Sequence, residues 1–352
     1  MISVSEAKKI ISESVSSLQA VSLLLHESGG LMLADDIYAT TDIPAFPQSS
    51  MDGYAFSFEG WKQNKRLKIT GEVAAGSSET FQLAPQNAVR IFTGAAVPAG
   101  ADTVIMQEKV QVENGELKIE DEGLKVGNSV RPKGSEIKAG ALALEKDNIL
   151  SPAAIGFLAG IGITKVKAYP NPSVSIIITG NELQQPGKPL KHGQVYESNS
   201  FALTAVLRQL RIENIQLLYA TDKPEIVIDT LKKALNQSDV VLLTGGISVG
   251  DYDFVLQAAS ECGVKKLFHK IKQRPGKPLY FGRKDSKLVF GLPGNPSSVL
   301  TCFYQYVIPA LGKLSKRRND LHTIKAPLAK TFQKNTGLTH FLKGFYNGKI
   351  AM

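Results

Sequence analysis

The stretch Thr244-Gly245-Gly246-Ile247-Ser248-Val249-Gly250-Asp251-Tyr252-Asp253 brings two chemistries together. Gly245 and Gly246 lack Cβ, so an anion can approach their backbone N–H groups closely. Ser248 lies in the same loop, and Asp251 and Asp253 set two carboxylates beside it. Phosphate donors next to acceptors for a divalent cation suit a nucleotide-like or pyrophosphate ligand held with Mg²⁺. The same residues would also serve a plain strand-to-helix turn with Asp253 as N-cap.

Other stretches repeat the theme. Thr179-Gly180-Asn181-Glu182-Leu183 and Thr221-Asp222 each place an acid after an apolar run. Three acids on one rim, Glu182, Asp222 and Asp253, would repel one another without a cation or donors between them. The stretch from His269 to Pro278 is basic and ends in a Pro275-Gly276 turn. Strand alternation would put Lys270, Lys272 and Arg274 on one side, either for an oxyanion or as a solvated edge. Gly291-Leu292-Pro293-Gly294-Asn295-Pro296 reads as a helix start with Asn295 as N-cap and Pro296 at N1, a place that attracts anions. Asp52, before Gly53 and after Pro44 and Pro47, is a turn residue or a positioned ligand. Thr93 ends a strand in a loop of small residues and offers a hydroxyl.

The elements that must position these groups follow from apolar periodicity. Ser3 and Glu6 form a capping box for an N-terminal helix. A second short helix is expected around residues 22–27, and residues 33–41 read as extended. Residues 56–135 read as a mostly β module, with strands at 66–70, 88–92 and 103–107 and an Asn114-Gly115 hairpin. The apolar run 149–163 reads as a buried helix. From Val174, strands and helices alternate (174–178, 201–210, 215–219, 225–235, 240–243), which implies a doubly wound parallel sheet. Residues 322–350 read as short strands. The expected organisation is a multidomain α/β protein. Residues 1–48 and 137–169 form a discontinuous N-terminal domain and 49–136 an inserted β domain. An α/β ligand-binding domain covers 170–311, and a C-terminal β domain covers 312–352.

Composition narrows the class. The chain has 352 residues, 43% hydrophobic and 21% charged, which is ordinary for a globular protein. Its net charge of +9 is local: residues 265–287 and 312–352 each carry nine Lys/Arg against one acid, and the remainder is acidic. Few aromatics interleave with these cations and no nucleic-acid motif occurs, so a site for a small, highly charged anion explains the pattern best. No nucleic-acid or membrane partner is expected, because no run approaches the ~18 apolar residues of a span. Cys262 and Cys302 form no metal or disulfide pattern. With no h-region at the N-terminus, a reducing cytoplasmic setting is expected.

Taken in order, Asp42–Ala55 (DIPAFPQSSMDGYA), Arg90–Ala95 (RIFTGA), Thr179–Leu183 (TGNEL), Thr244–Asp253 (TGGISVGDYD), Arg274–Pro278 (RPGKP) and Gly291–Pro296 (GLPGNP) closely resemble the molybdopterin molybdenumtransferases, the MoeA and gephyrin E-domain-like family. No single piece is specific; the ordered set is. The resemblance implies a four-part, elongated subunit that forms a homodimer, with an active site shared between subunits. It implies insertion of molybdate into adenylylated molybdopterin with Mg²⁺-dependent release of AMP, and contact with the molybdopterin adenylyltransferase that supplies that substrate. It assigns functional roles to Asp52, Thr93, Glu136, Glu182, Asp222 and Asp253, with Asp222 and Asp253 as metal ligands. Substrate-binding positions fall on Gly245, Gly246, Ser248, Lys270, Arg274, Pro275, Lys277, Asn295 and Lys343. Position 274 is arginine where many relatives carry lysine, and Lys343 stands where the family usually has arginine, so bidentate oxyanion binding differs at both. On the family's pattern the last domain runs roughly 40 residues further and carries a molybdate-binding serine there. Two other readings are a peptide-binding scaffold on the same fold and another nucleotide-processing hydrolase, such as a competence-damage-type amidase.

Overall fold

The computed structural model describes residues 1–78, 82–121, 123–246, 254–317, 321, 323–334 and 337–351. Ser248, Asp251 and Asp253 therefore lie outside the described residues. Two compact units emerge: residues 1–23, 27–34 and 166–352 in one, 24–26 and 35–165 in the other.

The first unit is built on a six-stranded sheet. Its strands are β1 (Val174–Thr179), β2 (Ile215–Ala220), β3 (Val240–Thr244), β4 (Lys265–His269), β5 (Tyr280–Lys284) and β6 (Lys287–Leu292), in the order β2-β1-β3-β6-β5-β4. The first four run parallel; β5 is antiparallel to both β6 and β4. Residues of β1 and β3 are buried throughout, as a parallel strand covered on both faces requires. Alternation sorts them by side. Ile176, Ile178, Val240 and Leu242 pack with Leu203, Leu207, Val299 and Phe303, whereas Ile177, Val241 and Leu243 pack with Val227, Leu231, Val255 and Ala258. Helices thus cover both faces, and the expected doubly wound sheet is present. Helix Val4–Ser14 carries the expected capping box and buries Ala7 and Ile11 in the first of these clusters.

The second unit carries another six-stranded sheet. It contains Gly53–Phe56, Arg66–Val73, Asn87–Ile91 and Thr103–Met106, with the hairpin Val110–Glu113/Glu116–Ile119 at its edge. Asn114 and Gly115 both have positive φ, 52° and 80°, as that two-residue turn demands.

Four local expectations need correction. Residues 21–24 form a strand, Val21–Leu24, and only Leu25–Glu27 turns helically, as a single 3₁₀ turn. The apolar helix is Pro152–Gly160, but within this chain it buries only Leu158; Phe157 is exposed. Apolar content alone does not say what covers a helix. Lys270 does not continue a strand through Arg274: β4 stops at His269 and Lys270 takes φ 70°. Among the described residues after 314, the named strand is Thr339–His340, which pairs in parallel with Gln273–Arg274; the remaining segments are largely irregular. No helix among the described residues is long and apolar enough to cross a membrane.

Candidate functional site

Because β2, β1, β3 and β6 are parallel, their carboxyl ends and the loops that follow share one edge, where open α/β sheets take ligands. Specific contacts join these loops. The Asn181 N–H donates to Asp222 Oδ2 at 3.0 Å, and the Asp222 N–H donates back to Asn181 Oδ1 at 3.4 Å. The loop after β1 thereby fixes the acid after β2. Glu182 folds back over Gly180: a Cβ on Gly180 would stand 2.9 Å from both carboxylate oxygens. The loops that carry Glu182 and Asp222 are thus joined through Asn181.

Gly245 comes next. It has φ 85°, and a Cβ there would lie 2.2 Å from the Thr179 carbonyl oxygen. Only glycine fits this combination of left-handed backbone and close approach. A Cβ on Gly294 would be 4.0 Å from Gly245 Cα, so the loop after β6 stands beside the glycine loop after β3. Asn199 Nδ2 donates to the Gly294 carbonyl at 2.9 Å and steadies that loop. Asn295 acts as the expected N-cap, its Oδ1 accepting from the N–H groups of Ser297 and Ser298. A cleft of about 300 Å³ opens between the loops after β1 and β2, lined by Asn181, Leu183, Glu197, Tyr219 and Thr221. Glu197 is 5% exposed and accepts from the Ser200 N–H and hydroxyl at 2.8 and 2.6 Å.

The basic turn closes onto this row from the other side. A Cβ on Gly276 would lie 2.5 Å from Cys302 Sγ and 3.6 Å from the Ser298 carbonyl, which places the turn against the helix that Asn295 caps. Arg274 and Lys277 are exposed and Lys270 is half-buried, while Ile271 and Gln273 are fully buried. Burial therefore alternates as expected although the strand does not persist. The Phe341 N–H donates to the Arg274 carbonyl at 2.8 Å, and His340 is in register with Arg274. Lys343, exposed, lies three residues past the end of this short strand, in an irregular segment. Cys302 is fully buried beneath the turn, and burial pushes its thiol up to about 12.

In the other unit, Asp52 and Thr93 are paired. The Thr93 N–H and hydroxyl both donate to Asp52 Oδ1, each at 2.7 Å. The backbone N–H is the first cause, and the hydroxyl the next, of an Asp52 carboxyl held below the ordinary aspartate range, with Arg90 adding a smaller electrostatic pull. Glu136 pairs with Arg131 at 3.4 Å, and Arg131 is in register with Gln48, whose Nε2 donates to the Gly94 carbonyl next to Thr93. A lowered carboxylate stabilises above its ordinary value and loses that contribution as pH falls through the lowered one. Thr93→Val keeps the N–H donor and removes the hydroxyl, so a carbon-13 titration should show the Asp52 midpoint moving up part of the way. An unmoved midpoint would contradict this account.

Several residues that hold these loops were not evident from the sequence. Asn181 was visible inside its motif, but its partnership with Asp222 was not. Glu197, Asn199 and Gln273 carried no signal beyond polar residues near apolar ones.

Comparison with known proteins places these features. Residues 2–162 match the model of the MoeA N-terminal region (domain I and II), and residues 175–313 match the model described as "Probable molybdopterin binding domain". The molybdopterin molybdenumtransferase of Haemophilus influenzae is 36% identical over 327 residues, covering 92% of this chain and 80% of that protein. Its namesake from a Nostoc species is 39% identical over 298 residues, covering 82% and 68%. The crystal structure of a molybdopterin biosynthesis MoeA protein from Pyrococcus horikoshii superposes with a TM-score of 0.82 at 32% identity, over 100% of this chain and 89% of that one. With loops, sheet and sequence in agreement, the chain belongs to the molybdopterin molybdenumtransferase family, transferases of molybdenum cofactor biosynthesis.

Proposed function

We propose that the chain inserts molybdate into adenylylated molybdopterin and releases AMP with the help of Mg²⁺. The observation that supports this most is the run of contacts along one sheet edge. It leads from Asp222 through Asn181, Thr179, Gly245 and Gly294 to the helix start at Asn295, and from there to the turn holding Arg274. Acidic loops thus stand at one end and cations at the other, as a nucleotide with a metal and a nearby oxyanion would require. Molybdate is a tetrahedral dianion, so fixed cations and N–H donors suit it; Arg274, Lys277, Lys270 and Lys343 are the candidates.

Asp222 offers one described carboxylate, its aim fixed by the Asn181 N–H. Among the described residues no three His, Cys, Asp or Glu side chains gather around one point. Magnesium takes one or two carboxylates and fills its shell with water and phosphate oxygens, so Asp222 with Asp253 would hold it. When bound, the ion offsets charge on the departing phosphate. The chain's own groups position the rest. Gly245 and Gly246 let phosphate approach backbone N–H groups, the Asn181–Asp222 pair fixes the acid's aim, and the cationic turn seats the oxyanion. No protein nucleophile is needed.

The reading includes a homodimer with a shared active site, and hand-over of substrate from the molybdopterin adenylyltransferase in the cytoplasm. Phe157 and Ile149, 42% and 47% exposed on and beside the apolar helix Pro152–Gly160, support a subunit contact there. The test is direct. Purified chain is incubated with adenylylated molybdopterin, molybdate and Mg²⁺, and AMP and metallated cofactor are both measured. The two should accumulate together and stop when Mg²⁺ is chelated; a folded chain that forms neither would sink the proposal.

A further inference from the structure

We infer that Gln273 is a positioning residue that aims the Pro275-Gly276 turn at the oxyanion, an inference that rests on the reaction proposed above. Gln273 is 1% exposed in an otherwise cationic stretch. Its Nε2 donates to the carbonyls of Pro275 at 3.1 Å and Gly276 at 3.0 Å, and reaches Cys302 Sγ at 3.5 Å. Its Oε1 accepts from the buried Tyr306 hydroxyl. The amide is thus anchored from below and draws two consecutive carbonyls inward.

That geometry has a chemical result. The peptide bonds after Pro275 and Gly276 are trans, so each N–H points opposite to the carbonyl of its own peptide unit. With both carbonyls turned toward Gln273, the N–H groups of Gly276 and Lys277 face away from it. Two successive N–H groups turned from Gln273, beside the exposed Arg274 and Lys277, are the donors we assign to the anion. Gly276 permits this, since its φ is 83° and a Cβ would meet the Gln273 amide at 2.9 Å. A side chain that merely filled the space under the turn would leave the Pro275 carbonyl without this donor and the Gly276 carbonyl with only the weak Cys302 thiol at 3.7 Å, so the turn would be held less firmly.

Gln273→Met keeps the volume and removes both donors. The expected result is a rise in KM for molybdate of about tenfold, with KM for adenylylated molybdopterin and kcat at saturating molybdate unchanged. A purely structural role would lower the melting temperature without this split. An unshifted molybdate KM in folded Gln273→Met, with wild-type chain active, would overturn the inference alone. Wild-type chain that is folded yet releases no AMP would remove the proposed reaction and this inference with it. Should Gln273→Met fail to fold, Tyr306→Phe carries the test. It leaves the amide donors in place but frees their anchor, and should raise molybdate KM by about threefold in the same selective way; no shift there overturns the inference.

Discussion

Asp222→Asn should slow AMP release by roughly 10²–10³-fold while leaving the fold intact. The substitution is conservative in shape. Asparagine retains a carbonyl oxygen for the Asn181 N–H and its own backbone N–H for Asn181 Oδ1, so the loop pair that fixes position 222 survives. What disappears is one negative charge. If that charge helps hold Mg²⁺ against the leaving phosphate, its loss acts on the transition state, and activity should be partly restored as Mg²⁺ is raised. The readout is AMP release across a magnesium titration, with thermal unfolding as the control. A variant as fast as wild type at low Mg²⁺ would take Asp222 out of the mechanism.

Gly245→Ala should cost both stability and turnover. The residue sits at φ 85°, where an L-residue is penalised by about 1–2 kcal/mol. The added Cβ would also lie 2.2 Å from the Thr179 carbonyl oxygen, a backbone atom in the fully buried strand β1 that has little room to move. Together these should destabilise the α/β unit by roughly 3 kcal/mol and lower its melting temperature by about 6–12 °C. The glycine loop would also be pushed from its place beside Gly294, so AMP release should fall more steeply than stability. Gly187→Ala is the matched control: φ is 89° but nothing lies within 4 Å of the added Cβ, so only backbone strain remains. Equal melting temperatures for the two variants would refute the close-approach argument.

The central sheet was legible because its strands are continuous apolar runs between helices of 3.6-residue period, and parallel burial leaves that signature. The loops at that edge were legible because glycines or acids (Gly180 and Glu182, Asp222, Gly245, Gly294) follow the runs. Asp52 and Thr93, 41 positions apart, could be named but not paired, since no local pattern encodes a contact between two loops. The pairing of Gln273–Arg274 with Thr339–His340 was invisible for another reason: two-residue strands have no period to detect. Helix Pro152–Gly160 was misread as buried because hydrophobicity predicts that a surface wants cover, not whether one chain supplies it. Gln273 read as one more polar residue among lysines; the alternation that buries it became meaningful only with Tyr306 and Cys302 beneath it.

The depth of the two thiols gives the molecule a built-in reporter. Cys302 and Cys262 are 0% and 4% exposed, and desolvation raises both above the ordinary thiol range. Since the thiolate is the reactive form, electrophiles and mild oxidants should pass over the native protein at neutral pH. Alkylation would then count unfolding events, and a single cysteine engineered on the surface could accept a fluorophore with both natural ones left in place.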